Sequence, residues 1–271
     1  MQYSAGSGSR VPLQKSDTSD VVATGSFSKK NLPYRDKTRL KGSQSEIPTV
    51  SVTPDIVNIG GYHKYTVHLH TQRLEVHSKP AKFQKLREYL RDEALQDGCG
   101  TLIDIGCNSG LTTVIALKAG FHHSYCLDHD SEYIQNVRIA ATALHLDPNI
   151  TAEVFNFGAP FNHTADVVVA AAIIHWVYSL TADFRNFDLI LDYLCKFVNP
   201  NKYLFIEWVD PRDSAIAKLG HLTLKGNRPT DVPYTTENFE SAVLRKGNIL
   251  SKEPIDGNHR VLYVIQVKSP L

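Results

Sequence analysis

Residues 101–110 read Thr-Leu-Ile-Asp-Ile-Gly-Cys-Asn-Ser-Gly, and this stretch decides the fold. Thr101 to Ile105 is an apolar run of strand length, while Leu111 to Lys118 predicts a helix ended by Gly120. A buried strand that passes into a helix through a short turn needs glycine in two circumstances. The backbone must bend sharply there, or a ligand must approach main-chain atoms with no Cβ in the way. Gly106 and Gly110 fill those positions. The carboxylate of Asp104, near the strand's end, can accept hydrogen bonds and pair with a cationic group such as a ligand amine.

The alternation continues downstream. A strand at Ser124 to Leu127 leads to a helix at Ser131 to Leu144, and further strands lie near Ala152 to Phe155 and at Asp166 to Ala171. Phe184 to Phe197 predicts a helix stopped by Asn199-Pro200, and Tyr203 to Trp208 a strongly apolar strand. Strands alternating with helices pair in parallel and carry helices on both faces, which makes a doubly wound α/β domain. Thr236 can cap a helix running to about Lys246, with Gly247 as its stop. Strands Asn248 to Glu253 and Arg260 to Val267 then close the chain around the Asp256-Gly257-Asn258 turn as an antiparallel β-hairpin.

Upstream, Tyr62 to Leu69 and Arg73 to His77 alternate as two short strands joined near Thr71. Phe83, Leu86, Tyr89, Leu90 and Ala94 then recur at helical spacing between Lys79 and Gln96, with Gly98 as a stop. Residues 1–50 are rich in Ser, Gly, Thr, Lys and Asp and cannot bury enough surface to offset their ordering entropy, so they are expected to form a disordered tail. In that tail eight Lys and Arg stand against four Asp and Glu, a charge of +4 that suits either a solubilising extension or a contact arm for RNA. Residues 51–271 form the folded domain, with strands and a lead-in helix over 51–98 and the α/β core over 99–267.

Eighteen residues past Gly110 the next strand ends at Asp128, in Tyr125-Cys126-Leu127-Asp128-His129-Asp130. An acidic group at the carboxyl edge of the neighbouring strand can take hydrogen bonds from both hydroxyls of a ribose. The acid, the glycine turn and this second acid resemble the class I S-adenosylmethionine-dependent methyltransferases. Their first motif places an acidic residue, then Gly, three variable residues and Gly after the first strand. Asp104, Gly106 and Gly110 match it, and Asp128 matches the family's ribose-binding acid.

The resemblance spans roughly Cys99 to Val267 and implies a Rossmann-like, mostly parallel seven-stranded sheet whose C-terminal hairpin supplies the antiparallel strand. It also implies that Gly106, Cys107 and Asn108 line the methionine half of S-adenosyl-L-methionine, with Asp128 and His129 on the ribose and adenine side. A nicotinamide or flavin enzyme shares the acid and the turn, but its fingerprint is G-x-G-x-x-G, and Asn108 puts a side chain where a pyrophosphate must approach.

In many family members an acidic or polar residue after the third strand meets the adenine. The corresponding stretch here is Phe155-Asn156-Phe157-Gly158, so Asn156 is the candidate to bond the base and Phe157 to pack on it, although Phe157 suits plain core equally. The end of the fourth strand reads Ala171-Ala172-Ile173-Ile174-His175-Trp176-Val177-Tyr178, with no D/N-P-P-Y/F motif of base amino methylation. His175 has the pKa range to take a proton from a hydroxyl acceptor, or it is structural. Trp176 and Tyr178 are candidates for an aromatic wall around the acceptor.

After the fifth strand, Glu207-Trp208-Val209-Asp210-Pro211-Arg212-Asp213 places three carboxylates and an arginine at the same edge, making Glu207 a catalytic candidate and Asp210 a candidate for acceptor binding. The bland alternative has Asp210 opening the Asp-Pro turn and Asp213 capping a short helix. Residues 212–233 are too long for a simple connection and are expected to shape the acceptor pocket. A Lys-Asp-Lys-Glu set, as in RNA ribose methylation, is matched in part by Glu207 with Lys196 or a lysine near Lys79, but its Asp is missing.

Over 271 residues, the formal net charge of +1 supplies no overall drive toward polyanions or acidic membranes. Cys99, Cys107, Cys126 and Cys195 lack paired spacing and read as reduced core residues in a cytosolic or similarly reducing compartment. His68 and His70 share a strand face, yet no third ligand can be named, so no metal is expected. No apolar stretch approaches the roughly 20 residues of a membrane span, and a soluble chain is expected. The expected activity is methyl transfer from S-adenosyl-L-methionine to an oxygen nucleophile on a small molecule, glycan or RNA. A non-catalytic cofactor-binding interaction module is the alternative from another class.

Overall fold

A computed structural model describes residues 50–94, 100–181, 183–218, 232–255, 257 and 259–268. The expected disordered tail before Val50, Cys99, most of the 212–233 insertion, and Asp256 and Asn258 of the hairpin turn lie outside the described residues.

The described chain opens with a four-stranded antiparallel sheet in sequential order: β1 (Val50–Val52), β2 (Ile56–Ile59), β3 (Tyr65–His68) and β4 (Arg73–Val76). Only its second half was legible. β1 and β2 are three and four residues long, too short for alternation to register. His70 falls in the turn beyond β3, so it does not share a strand face with His68. His68 instead meets Glu75 at 3.0 Å and His70 meets Asp55 at 3.0 Å. Helix α1 (Pro80–Tyr89) has proline in its first turn, where the missing N–H costs nothing, and continues as one π-helical turn over Leu90–Ala94.

The main body alternates as expected: β5 (Thr101–Ile105), α2 (Leu111–Ala119), β6 (His123–Asp128), α3 (Ser131–Ala143), β7 (Ile150–Val154), β8 (Ala165–Ala171), α4 (Ile174–Leu180), α5 (Phe187–Cys195) and β9 (Val198–Val209). Helices α6 (Ser214–Lys218) and α7 (Thr236–Lys246) and strands β10 (Gly247–Pro254) and β11 (Arg260–Val267) complete it. The seven-stranded sheet runs β10-β11-β9-β8-β5-β6-β7, parallel from β9 to β7, with β11 antiparallel to both of its neighbours.

Both faces of this sheet are buried, which is why its strands read as unbroken apolar runs. Leu102, Val167, Val169, Tyr203, Phe205, Leu262 and Val264 face a layer made by α1, α2 and the small sheet. Their alternates Ile103, Val168, Leu204, Ile206, Trp208, Tyr263 and Ile265 face α4, α5 and α7. Each such side chain contributes about 1.5–3 kcal/mol when fully buried, so register is fixed strongly on both faces.

Four local expectations are corrected. α4 had no predicted helix, because Ile173 and Ile174 continue the apolar run of β8 and conceal a change of period. α5 begins at Phe187 rather than Phe184, since Asn186 caps it by accepting from the Asp188 amide at 2.8 Å. β9 starts at Val198, ahead of the Asn199-Pro200 breaker, and pairs there through an irregularity opposite Ala165. The cap of α7 is Thr235, which accepts from the Asn238 amide at 3.2 Å, while the Thr236 hydroxyl accepts from the Trp208 indole at 3.0 Å.

Candidate functional site

The turn after β5 is held onto β6 by main-chain bonds: the amides of Gly106 and Cys107 both donate to the Leu127 carbonyl, at 2.8 and 3.1 Å. Gly106 has φ +73°, and a Cβ there would stand 2.4 Å from Ile173 Cγ2. Gly110 has φ +77° and faces Val137 at 3.0 Å in the same sense. Both positions therefore require glycine. Asn108 adopts φ +52°, which asparagine tolerates better than most residues. Its amide donates to Asp128 Oδ2 at 2.8 Å, and the Asp130 amide donates to Asp128 Oδ1 at 3.0 Å.

Two main-chain donors thus aim the buried Asp128 carboxylate at the end of β6. A carboxylate has about four lone-pair positions, so it can accept a diol as well. Exposed His129 places Nδ1 3.1 Å from Asp128 Oδ1, and that bond raises its pKa above the ordinary histidine value. The Oδ1 of Asn108 is buried with no partner among the described residues, an acceptor free to meet a ligand donor.

Asp104 lies under the turn, 1% exposed, and accepts from Thr113 Oγ1 at 3.2 Å. Burial raises its pKa to about 7. Cys107 and Cys126 are buried beside it, and burial pushes both thiols up, so they pack as apolar residues. The small sheet clamps the turn from outside: Ser109 Oγ donates to the Gly60 carbonyl at 2.8 Å, and the Tyr65 hydroxyl donates to the Ser109 carbonyl at 2.7 Å. After β7, Asn156 is exposed. Phe157 is part-buried, packed in an aromatic cluster with Phe184 and Tyr193 at ring separations of 4.9 and 4.6 Å.

The parallel neighbour β8 ends at a second corner. Ala172 takes φ +55°, a strained conformation for alanine, and α4 then presents His175. His175 is 4% exposed, and its Nδ1 is buried with no partner among the described residues. Burial, aided by Arg260 and opposed by Glu207 and Asp213, lowers its pKa to about 4, leaving a neutral imidazole at pH 7. Trp176 is half exposed, its ring 5.3 Å from that of His175. Tyr178 turns into the core between Phe187 and Tyr234 and gives its hydroxyl to the Val232 carbonyl, so its side chain walls no open pocket.

Glu207, 1% exposed, lies between two buried cations: it pairs with Lys82 of α1 and accepts from Arg260 Nη1 at 3.0 Å. Arg260 Nε also reaches Asp213 at 3.0 Å. Burial opposes the charge of Glu207, but Lys82 and then Arg260 outweigh it and hold the carboxyl below its ordinary value. Asp210 is taken up by Arg212, whose amide and Nε donate to Oδ1 at 2.9 and 2.7 Å, and by the Thr236 hydroxyl at 3.3 Å. At the Asp-Pro turn its carbonyl accepts from the Asp213 amide at 2.8 Å.

His63, between β2 and β3, packs edge-on against Phe83 at 4.8 Å with Nδ1 buried and unpartnered among the described residues. Burial, then Lys82, Lys79 and Arg260, lowers its pKa to about 2. Sequence reading missed His63, Lys82 and Arg260. The available signal was a charge on a core-facing position: Lys82 beside Phe83 and Leu86 in α1, and Arg260 in phase with Leu262 in β11.

Among the described residues no group of three His, Cys, Asp or Glu is arranged to hold a metal, and no helix is long and apolar enough to cross a membrane. The profile of the ribosomal protein L11 methyltransferase family matches residues 84–188. No curated protein matches the chain in sequence. Among solved structures, an O-methyltransferase family protein from Burkholderia thailandensis aligns with TM-score 0.52 at 16% identity, covering 70% of this chain and 58% of its own. This chain therefore spans little more than half the length of that structure. An N-methyltransferase from Bradyrhizobium japonicum in complex with S-adenosyl-L-homocysteine aligns at 0.50 and 13% identity, covering 70% and 100%. The magnesium protoporphyrin IX methyltransferase from Synechocystis with bound SAM aligns at 0.51 and 12%, covering 70% and 81%. At these identities the likeness is one of fold.

Proposed function

We propose that the chain is a class I S-adenosylmethionine-dependent methyltransferase and that it moves the methyl group to an oxygen nucleophile on a small molecule, glycan or RNA. The residues present fit the cofactor: a turn that excludes Cβ atoms at Gly106 and Gly110, an unpartnered Asn108 Oδ1 and an oriented Asp128 carboxylate. In this reading Gly106, Cys107 and Asn108 hold the methionine half, Asp128 and His129 the ribose side, and Asn156 the base, with Asp104 supporting the turn from below. Bound S-adenosyl-L-methionine supplies an activated methyl on its sulfonium.

The chain's own task is to hold the acceptor in line and, for a hydroxyl, to remove its proton. His175 carries the oxygen reading. It is a neutral imidazole with a buried free nitrogen at the end of β8, the state a general base needs before reaction. Glu207 and Asp213 favour its protonated form when it takes the proton, against burial and Arg260, which disfavour it. Glu207 acts in this reading as a positioning residue that holds Lys82 and Arg260, with Trp176 as the exposed aromatic surface beside the acceptor.

Parallel calorimetric titration with S-adenosyl-L-methionine, S-adenosyl-L-homocysteine and NAD tests the cofactor site. Saturable binding of the first two alone is expected, and silence from both sulfur ligands would sink the reading. An acceptor screen with methyl-labelled cofactor follows, read for base-stable methyl ethers and base-labile methyl esters. Label found only on nitrogen would overturn the oxygen assignment.

A further inference from the structure

The small antiparallel sheet has no part in the reading above, yet its β2–β3 loop and strand β3 meet the glycine turn directly. Two hydrogen bonds join them: Ser109 Oγ donates to the Gly60 carbonyl at 2.8 Å, and the Tyr65 hydroxyl donates to the Ser109 carbonyl at 2.7 Å. Gly61, at φ +120°, lies against the same place. A Cβ there would stand 2.7 Å from Ser109 Oγ, 3.0 Å from Tyr133 Cε1 and 3.1 Å from Asn108 Oδ1. The loop therefore covers Asn108 and Ser109 with main chain, and its closeness requires glycine.

Tyr65 is 1% exposed and packs in the apolar layer with Val57, Ile59 and Val67. Phenylalanine would fill that layer without burying a hydroxyl, a group whose burial costs free energy unless it is bonded. The bond that satisfies it goes to the turn and not to the small sheet itself. That turn is a segment in need of holding, because Asn108 at φ +52° and Gly110 at φ +77° flank Ser109. A non-glycine residue in the left-handed region persists where its surroundings fix it. Asn108 is also the residue whose amide donates to Asp128 Oδ2 at 2.8 Å. What holds Ser109 is thus one covalent step from the donor that aims the Asp128 carboxylate.

We propose that Tyr65 is a positioning residue for the cofactor, acting through Ser109 to fix the Asn108 amide on Asp128, while Gly61 keeps the space in which the Asn108 side chain stands. The small sheet is then a working part of the cofactor site and not a separate packing layer. This rests on the methyltransferase reading, because it takes the turn and Asp128 as the seat of S-adenosyl-L-methionine.

The test is calorimetric titration of the full chain with S-adenosyl-L-homocysteine, for wild type, Tyr65→Phe, Ser109→Ala and Thr66→Val, with the stability of each measured alongside. Thr66 is the control. It is the next residue of β3, 5% exposed, and its hydroxyl donates to Asn58 Oδ1 at 2.6 Å and meets His77 Nε2 at 2.7 Å, away from the turn. Tyr65→Phe should weaken binding about three- to tenfold, the scale of one net buried hydrogen bond, whereas Thr66→Val should lose stability and keep its affinity. Combined with Ser109→Ala, Tyr65→Phe should cost less than the product of the two single losses, since both act on one residue. Wild-type affinity in Tyr65→Phe would overturn the proposal. So would an equal loss in Thr66→Val, which would mean that the stability of the small sheet alone sets affinity. If wild type itself binds no S-adenosyl-L-homocysteine, the methyltransferase reading fails and this role of Tyr65 falls with it. If Tyr65→Phe does not fold, Ser109→Ala against Thr66→Val decides by the same measure.

Discussion

The β5–α2 turn and the β8–α4 corner lie at the same edge of one parallel sheet, one strand apart, and they are made of different material. The turn is built from main chain: two glycines, an asparagine in the left-handed region, and amides that fix Asp128. The corner is built from buried charge, with Lys82, Glu207, Arg260 and Asp213 drawn from α1, β9, β11 and the segment after β9 around a neutral His175. A main-chain cradle binds through many small contributions. A buried charge cluster depends on every member, because removing one strands its partners. The two should therefore fail differently.

The largest effect expected is at the corner. His175→Ala should lower turnover by about 10²–10⁴-fold, the range for loss of a general base, and leave cofactor affinity at the turn unchanged. Turnover equal to wild type would make His175 structural and dissolve the contrast on its catalytic side. Glu207→Ala follows. It leaves Lys82 and Arg260 buried without their carboxylate, and stability should fall by about 3–5 kcal/mol in denaturant titration. A loss below about 1 kcal/mol would show that water or Asp213 compensates, and that the cluster is less closed than its burial indicates.

At the turn, Asp128→Ala should weaken cofactor binding by about 2–3 kcal/mol, the scale of charge-assisted hydrogen bonds, while global stability changes less than in the Glu207 variant. Calorimetry on the two variants side by side sharpens the comparison: one should lose ligand and keep its fold, the other should lose fold first.

The same contrast explains what the sequence made legible. The turn was readable because its residues are consecutive. Asp104, Gly106 and Gly110 sit in one window, and Asp128 follows at the end of the next strand. The corner was not readable because its members are distant in sequence and meet only through packing. Lys82 and Glu207 come together because α1 packs on the sheet, and Arg260 is set opposite Val209 by the register of β11 on β9. The antiparallel β1–β2 pair escaped notice for a related reason. Strands of three and four residues carry too few alternations to declare a period. Helix α4 escaped because it follows β8 without a break in apolar character.

One group belongs to the turn yet behaves like the corner. Asp104 is buried beneath the main-chain cradle with a single side-chain donor, Thr113, and burial raises its pKa from 3.8 to about 7. Between those two values the folded chain holds a proton that the unfolded chain has released. Folding stability drawn from this group is therefore present below pH 3.8 and declines as pH rises toward about 7. Asp104→Asn removes the titration and keeps the shape. Comparing the stability of wild type and Asp104→Asn across this window isolates the effect from the many carboxylates whose pKa is lowered. The wild type should lose stability relative to the variant as pH rises. A difference that stays flat would mean Asp104 is already ionised in the folded chain. The turn would then hold a charge that some group other than Thr113 must balance.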